Sequence, residues 1–93
     1  MMRNLAELAR VAGGSLHGND VTFGTVLTDS RTLEGGALFV ALRGERFDGH
    51  QFVPEALARG AAGALVEREV SVALPQVQVR DALEGLTAFA AAW

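Results

Sequence analysis

The sequence predicts an α/β fold: one small domain over residues 1–93, with a mixed, mostly five-stranded sheet and about three flanking helices. Three observations carry that expectation. Three segments repeat apolar residues at helical spacing behind a capping pair. Between the first two lies Ala37–Leu42, continuously apolar, as in a strand buried on both faces. The middle helix separates this strand from the next, which permits a right-handed crossover between parallel strands.

In chain order, Asn4 and Glu7 have capping-box spacing, Leu5, Leu8, Ala9 and Ala12 share a face, and Gly13-Gly14 ends the helix. Ser15–His17 and Val21–Thr28 are β candidates on either side of Gly18-Asn19-Asp20, a turn-forming triplet that makes a hairpin the simplest pairing. Asp48 and Gln51 repeat the capping spacing ahead of Phe52, Val53, Ala56 and Leu57, with Gly60 as the stop. Ala64–Glu67 and Val77–Val79 are shorter strands, the second introduced by Pro75. Asp81 and Glu84 open the last helix, whose stripe of Leu83, Leu86, Phe89, Ala90 and Trp93 is still running at the final residue. The chain therefore reads as the front part of a longer protein, and the unfinished stripe as a source of self-association in isolation. Phe23, Phe39, Phe52 and Phe89 are core by period, and Trp93 is a core or interdomain anchor.

Composition narrows the function. The 8 basic and 11 acidic residues leave a net charge of −3, which argues against nucleic-acid binding or an anionic membrane surface. Every basic residue is an arginine, so no lysine can serve a phosphate loop, a Schiff base or proton transfer. Cysteine is absent, which removes disulfides, thiolate metal sites and thiol nucleophiles and fits a reducing compartment. No uninterrupted apolar run approaches a bilayer span, and no signal-peptide pattern opens the chain. Neither His17 nor His50 has histidine or cysteine companions at metal-ligand spacing.

Two polar clusters follow strand candidates: Thr28-Asp29-Ser30-Arg31-Thr32, and Arg43-Gly44-Glu45-Arg46-Phe47-Asp48-Gly49-His50. Loops at the carboxyl ends of strands are where open α/β sheets place ligands. Arg31, Arg43 and Arg46 offer guanidinium forks for phosphate oxygens, Phe47 a stacking face, and Gly44 close backbone approach. Plainer readings stand beside this one. Asp48 reads first as an N-cap, and Asp29-Ser30 equally well as a turn closing a strand. Arg10, Arg59, Arg68 and Arg80 read as solvated. The connection from Asp29 to Gly36 is too short for a helical crossover. A simple hairpin there would put the two clusters at opposite edges and abolish a shared pocket.

Thr28-Asp29-Ser30-Arg31, then Leu38-Phe39-Val40-Ala41-Leu42-Arg43-Gly44-Glu45-Arg46-Phe47-Asp48-Gly49-His50, then Ala56–Ala64, closely resemble the N-terminal domain of the Mur ligases. These are cytoplasmic, ATP-dependent, amide-forming enzymes that build the peptidoglycan stem peptide. The segment Gly13–Gly18 and the closing Leu74–Val77 and Ala90–Trp93 look more like the member that adds the terminal dipeptide than the sibling that adds the third amino acid.

The resemblance implies that this domain holds the uridine diphosphate end of a UDP-N-acetylmuramoyl-peptide in one pocket made by both loops. A central domain of the same chain would bind ATP and magnesium, and a C-terminal domain the incoming amino component. The full-length enzyme would act as a monomer and pass through an acyl phosphate, while residues 1–93 alone would be inert and hold no cofactor. Carried over by position, Ser30 would approach the uridine or diphosphate, Asp29 and Arg31 would shape that loop, and Arg31 would reach phosphate. Gly44, Glu45, Arg46 and Phe47 would wrap the uracil, with Glu45 reading a uracil N–H or pairing with Arg43. Asp48 and Gly49 would hold the turn and start the helix. Gly35 and Ala37 depart from the proline and aspartate common in the family, which bears on the turn before the buried strand. The competing reading is a stand-alone α/β interaction module with no nucleotide site.

Overall fold

Asn4 starts the first helix as its spacing requires: its side-chain oxygen accepts the Glu7 N–H at 2.7 Å, a cap worth about 1 kcal/mol. Helix α1 (Leu5–Ala12) ends at Gly13, whose φ of 72° is the left-handed conformation that glycine adopts without strain. The computed structural model describes residues 3–92. Beyond α1 it contains strands β1 (Arg3–Asn4), β2 (Ser15–His17), β3 (Thr22–Phe23), β4 (Val26–Leu27), β5 (Leu38–Val40), β6 (Gly63–Val66) and β7 (Gln76–Gln78). Helices α2 (Val53–Ala58) and α3 (Ala82–Ala92) complete it. The expectation for Trp93 lies outside the described residues.

The main sheet has five strands in the order β2-β7-β6-β5-β4, with β4, β5, β6 and β7 parallel and β2 antiparallel at the edge. The expected mixed five-stranded sheet with three helices is the observed one. Alternation along the strands sorts the core into two layers. Leu38, Val40, Leu65 and Val77 face α1 and α3, where Leu5, Leu8, Ala82 and Phe89 cover them. Ala37, Phe39, Ala41, Ala64 and Val66 face the opposite side, under Val53 and Ala56 of α2. All three parallel connections run on this second side, because Leu33, the α2 residues and Leu74 belong to one cluster. Residues 28–37 join parallel strands with a 3-10 turn at Ser30–Thr32 in place of a helix. The hairpin alternative for this connection is thereby overturned, and both loops open at the same end of the sheet.

Three expectations need correction. Ser15–His17 and Val21–Thr28 do not form a hairpin: β2 pairs with β7, β3 pairs with β1 in a separate two-stranded sheet, and β4 pairs with β5. The Gly18-Asn19-Asp20 segment instead crosses the start of α1, where the Asp20 carboxylate accepts the Ala6 N–H and the Val21 carbonyl accepts the Leu5 N–H. Those bonds satisfy amides that the first turn of any helix leaves open. The second helix opens with a 3-10 turn, Gly49–Phe52, before α2 begins at Val53. That change of phase turns Phe52 outward, and it is 42% exposed rather than core. On α3 the buried face is Ala82, Gly85 and Phe89, while Leu83 is 60% exposed and Ala90 is exposed. Gly85 lies against α1 and β7, where a Cβ would make ordinary contact with Ala12 and Val79. Phe89 packs on Phe23 with ring centroids 5.8 Å apart, a favourable tilted aromatic contact.

Candidate functional site

The residues after β4 and those after β5 meet in an open cleft of about 480 Å³, within the range typical of small-molecule sites. Thr28, Asp29, Ser30 and Arg31 form one wall, Phe47 and Phe52 the other, with Phe39 and Gly49 between them. The site sits at the carboxyl ends of adjacent parallel strands, where the backbone diverges and side chains from two loops converge.

Asp29 caps the 3-10 turn by accepting the Arg31 N–H at 2.9 Å. The Arg31 guanidinium returns to the same carboxylate through Nε at 3.1 Å and Nη2 at 2.9 Å. The side-chain bond from Arg31, then its backbone bond, holds the Asp29 carboxyl below the usual carboxylate range. Two of the five N–H donors of Arg31 are used on Asp29, and the side chain is otherwise exposed. Ser30 is buried and donates its hydroxyl to Glu55 Oε1 of α2 at 2.6 Å. The Ser30 Oγ lone pairs remain at the cleft wall, and its proton is committed to the scaffold. Glu55 is absent from the motif that singled out Ser30; only its first-turn place on the helix could have suggested the pairing.

The loop after β5 folds tightly on itself. Gly44 N–H donates to the Phe47 carbonyl at 2.9 Å, and Arg43 and Asp48 pair as an isolated antiparallel bridge. A Cβ at Gly44 would fall 2.9 Å from the Phe47 ring, which lies over that glycine and is still 56% exposed. Gly49 donates its N–H to the Leu42 carbonyl at 2.7 Å, and a Cβ there would meet Leu42 O at 2.6 Å. No other residue fits that approach without a backbone shift. Glu45 and Arg46 are exposed and do not line the cleft. Gly44 lines a second depression, of about 360 Å³, with Leu42, Arg43, Phe47, Glu67, Asp81 and Leu83. Arg43 pairs with Glu67 at 3.3 Å, which corrects the expected partnership with Glu45.

Asp48 accepts the His50 N–H at 3.0 Å, capping the turn that precedes α2. The His50 ring is 2% exposed and fully engaged. Its Nε2 accepts the Glu67 N–H at 2.8 Å, so its proton lies on Nδ1, 2.6 Å from Asp48 Oδ1. Arg68, expected to be solvated, reaches Asp48 Oδ2 with Nη2 at 2.9 Å. The His50 backbone bond, then the His50 ring and the Arg68 guanidinium, hold the Asp48 carboxyl far below the usual carboxylate range. Among the described residues, no three His, Cys, Asp or Glu side chains converge on a metal position, and no helix is long and apolar enough to cross a membrane.

The family model described as "Mur ligase family, catalytic domain" matches residues 22–92. The chain belongs to the Mur ligase family. It is 48% identical over 77 residues to the UDP-N-acetylmuramoyl-tripeptide–D-alanyl-D-alanine ligase of Escherichia coli (strain K12), covering 83% of this chain and 17% of that protein. It is 40% identical over 93 residues to the UDP-N-acetylmuramoyl-L-alanyl-D-glutamate–2,6-diaminopimelate ligase of Geobacillus kaustophilus (strain HTA426), covering 99% of this chain and 19% of that relative. A crystal structure of MurF from Acinetobacter baumannii superimposes with a TM-score of 0.90 at 34% identity, over 98% of this chain and 21% of that one. The chain thus spans about a fifth of the length of the relatives it matches.

Proposed function

We propose that residues 1–93 are the N-terminal domain of a cytoplasmic ligase that adds D-alanyl-D-alanine to UDP-N-acetylmuramoyl-tripeptide, and that the cleft anchors the uridine diphosphate end of that substrate. The observation that carries this reading is the convergence of Thr28–Arg31 with Phe47 and Phe52 around one cleft. Phe47 and Phe52 offer apolar faces for a base, while the remaining Arg31 donors and the Ser30 Oγ suit an oxygen-rich ligand. Arg46 is exposed in the same loop as Phe47 and carries no ion pair among the described residues, so its guanidinium is free to turn toward a phosphate of the ligand. The similarity to the Escherichia coli ligase and to MurF of Acinetobacter baumannii favours this ligase.

The residues of this chain do not suit ATP and magnesium, because the sequence has no lysine and the described acidic residues do not cluster. We assign both to a central domain beyond this segment and the amino component to a C-terminal domain. Residues 1–93 then contribute substrate position and no catalytic group. Binding energy at the uridine end would serve to place the distant carboxylate. A second reading is the sibling ligase that adds diaminopimelate, favoured by the match to the Geobacillus kaustophilus protein across the whole of this chain. Calorimetry with uridine diphosphate against adenosine diphosphate tests the anchoring role. Saturable heat with the uridine nucleotide alone is expected; equal affinity for both, or for neither, contradicts it.

A further inference from the structure

Both stems of the Phe47 loop are fastened to two consecutive residues at the end of β6, and neither of those residues lines the cleft. Glu67 and Arg68 reach the loop in complementary ways. Glu67 Oε1 holds Arg43 at the entry of the loop, and the Glu67 N–H enters His50 Nε2 just past its exit. The other Glu67 carboxylate oxygen accepts the Ala82 N–H at 2.9 Å, at the start of α3. Arg68 holds Asp48, which itself fixes the His50 ring. Between these stems, residues 44–47 are organised, among the described residues, by the Gly44 N–H to Phe47 carbonyl bond and the packing of the Phe47 ring on Gly44.

We infer that Glu67 and Arg68 are positioning residues: they set the height and orientation of the Phe47 loop over the cleft without touching the ligand. This rests on the nucleotide reading of the cleft. The physical argument is preorganisation. A loop of exposed residues lacking its own core contacts loses conformational entropy on ligand binding unless the scaffold has already restricted it. Here the restriction comes from a charge-assisted bond to Asp48 and an ion pair to Arg43, with His50 as the buried pivot. The link from Glu67 to Ala82 also ties the loop to the start of α3.

Arg68→Ala is the direct test, since the Arg68 side chain is exposed and its removal spares the core. Three measurements on the whole chain decide it: amide relaxation of residues 44–47 without ligand, uridine diphosphate affinity, and the urea midpoint. The expected result is raised picosecond-to-nanosecond mobility at 44–47, affinity reduced roughly three- to tenfold, the scale of the ordering cost that the ligand must then meet, and a nearly unchanged midpoint. Arg68→Lys should restore most of both losses, because it returns a cation to Asp48. An Arg68→Ala loop as rigid as the original, or a loosened loop with undiminished affinity, overturns the positioning role. Loosening of the loop in a chain that binds no uridine nucleotide even unsubstituted overturns the nucleotide reading, while the mechanical role of Arg68 stands.

Discussion

Ser30 and Glu55, 25 positions apart in sequence, meet through a 2.6 Å hydrogen bond that joins the turn after β4 to helix α2. The bond explains how a parallel connection without a helix of its own keeps a fixed shape. The Ser30–Thr32 turn leans on the helix of the next crossover, and Leu33 follows it into the same apolar layer. Ser30→Ala should therefore destabilise the chain by about 1–2 kcal/mol in urea melts, the scale of a hydrogen bond to a charged acceptor. A double-mutant cycle with Glu55→Gln should return a coupling of about 1 kcal/mol. Strict additivity would dissolve the proposed link.

Phe39 and Phe52 border the same cleft but should respond oppositely to truncation. Phe39 is buried in the α2-side layer, so Phe39→Ala should cost about 3–5 kcal/mol through cavity formation. Phe52→Ala removes a side chain already 42% exposed and should cost under about 1 kcal/mol, while weakening uridine diphosphate. Equal losses of stability in paired urea melts would contradict the phase assigned to the 3-10 turn.

Arg46 separates ligand contact from folding most cleanly. It is exposed and carries no ion pair among the described residues, so Arg46→Ala should leave the circular dichroism spectrum and urea midpoint unchanged. Uridine diphosphate affinity should fall by roughly three- to tenfold if the guanidinium meets a phosphate, and the remaining affinity should become less dependent on salt. Unchanged affinity by calorimetry would remove Arg46 from the site.

Asp48 makes the stability depend on acid. In the folded chain its carboxyl is held far below the ordinary carboxylate range, first through the His50 backbone bond, then the His50 ring and Arg68. A carboxyl depressed in the folded state stabilises fully above its unfolded pKa, and the contribution is lost as pH falls through the folded value. Asp48→Asn should consequently be less stable than the original at pH 7, and the gap should begin to narrow only below about pH 4 and shrink progressively as pH falls toward the folded value. A gap that stayed constant from pH 7 to pH 2 would mean that the carboxylate charge does not act here. Asp29 is depressed in the same direction by Arg31, but its pair stands in open solvent and should contribute far less.

Legibility in the sequence followed the range of the interaction. The Asn4 cap, the Gly13 stop and the doubly buried β5 depend on near neighbours, and each was readable from spacing alone. The family motif marked the two polar clusters as parts of one pocket. The pairing of β2 with β7 was not readable, because Gly18-Asn19-Asp20 carries a strong local turn signal and the true partner lies some 60 positions away. Phe52 was misplaced because periodicity assumes 3.6 residues per turn from the cap, and the chain spends Gly49–Phe52 in a 3-10 turn. The polar partners Glu55 and Arg68 were harder to read, since their bonds to Ser30 and Asp48 span 25 and 20 positions. Buried Gln76 is a local case that no cap or turn spacing marks: its side-chain amide bonds Val70 and Leu74, pinning the last connection to the sheet.

The central claim is that the cleft between the two loops holds a uridine nucleotide. An amide-resolved NMR titration of this chain with uridine diphosphate, and adenosine diphosphate as control, tests it most directly. The account predicts shifts concentrated at Thr28–Arg31 and at residues 44–52, saturating with the uridine nucleotide only. Shifts elsewhere on the domain, or none in a well-dispersed spectrum, would contradict it.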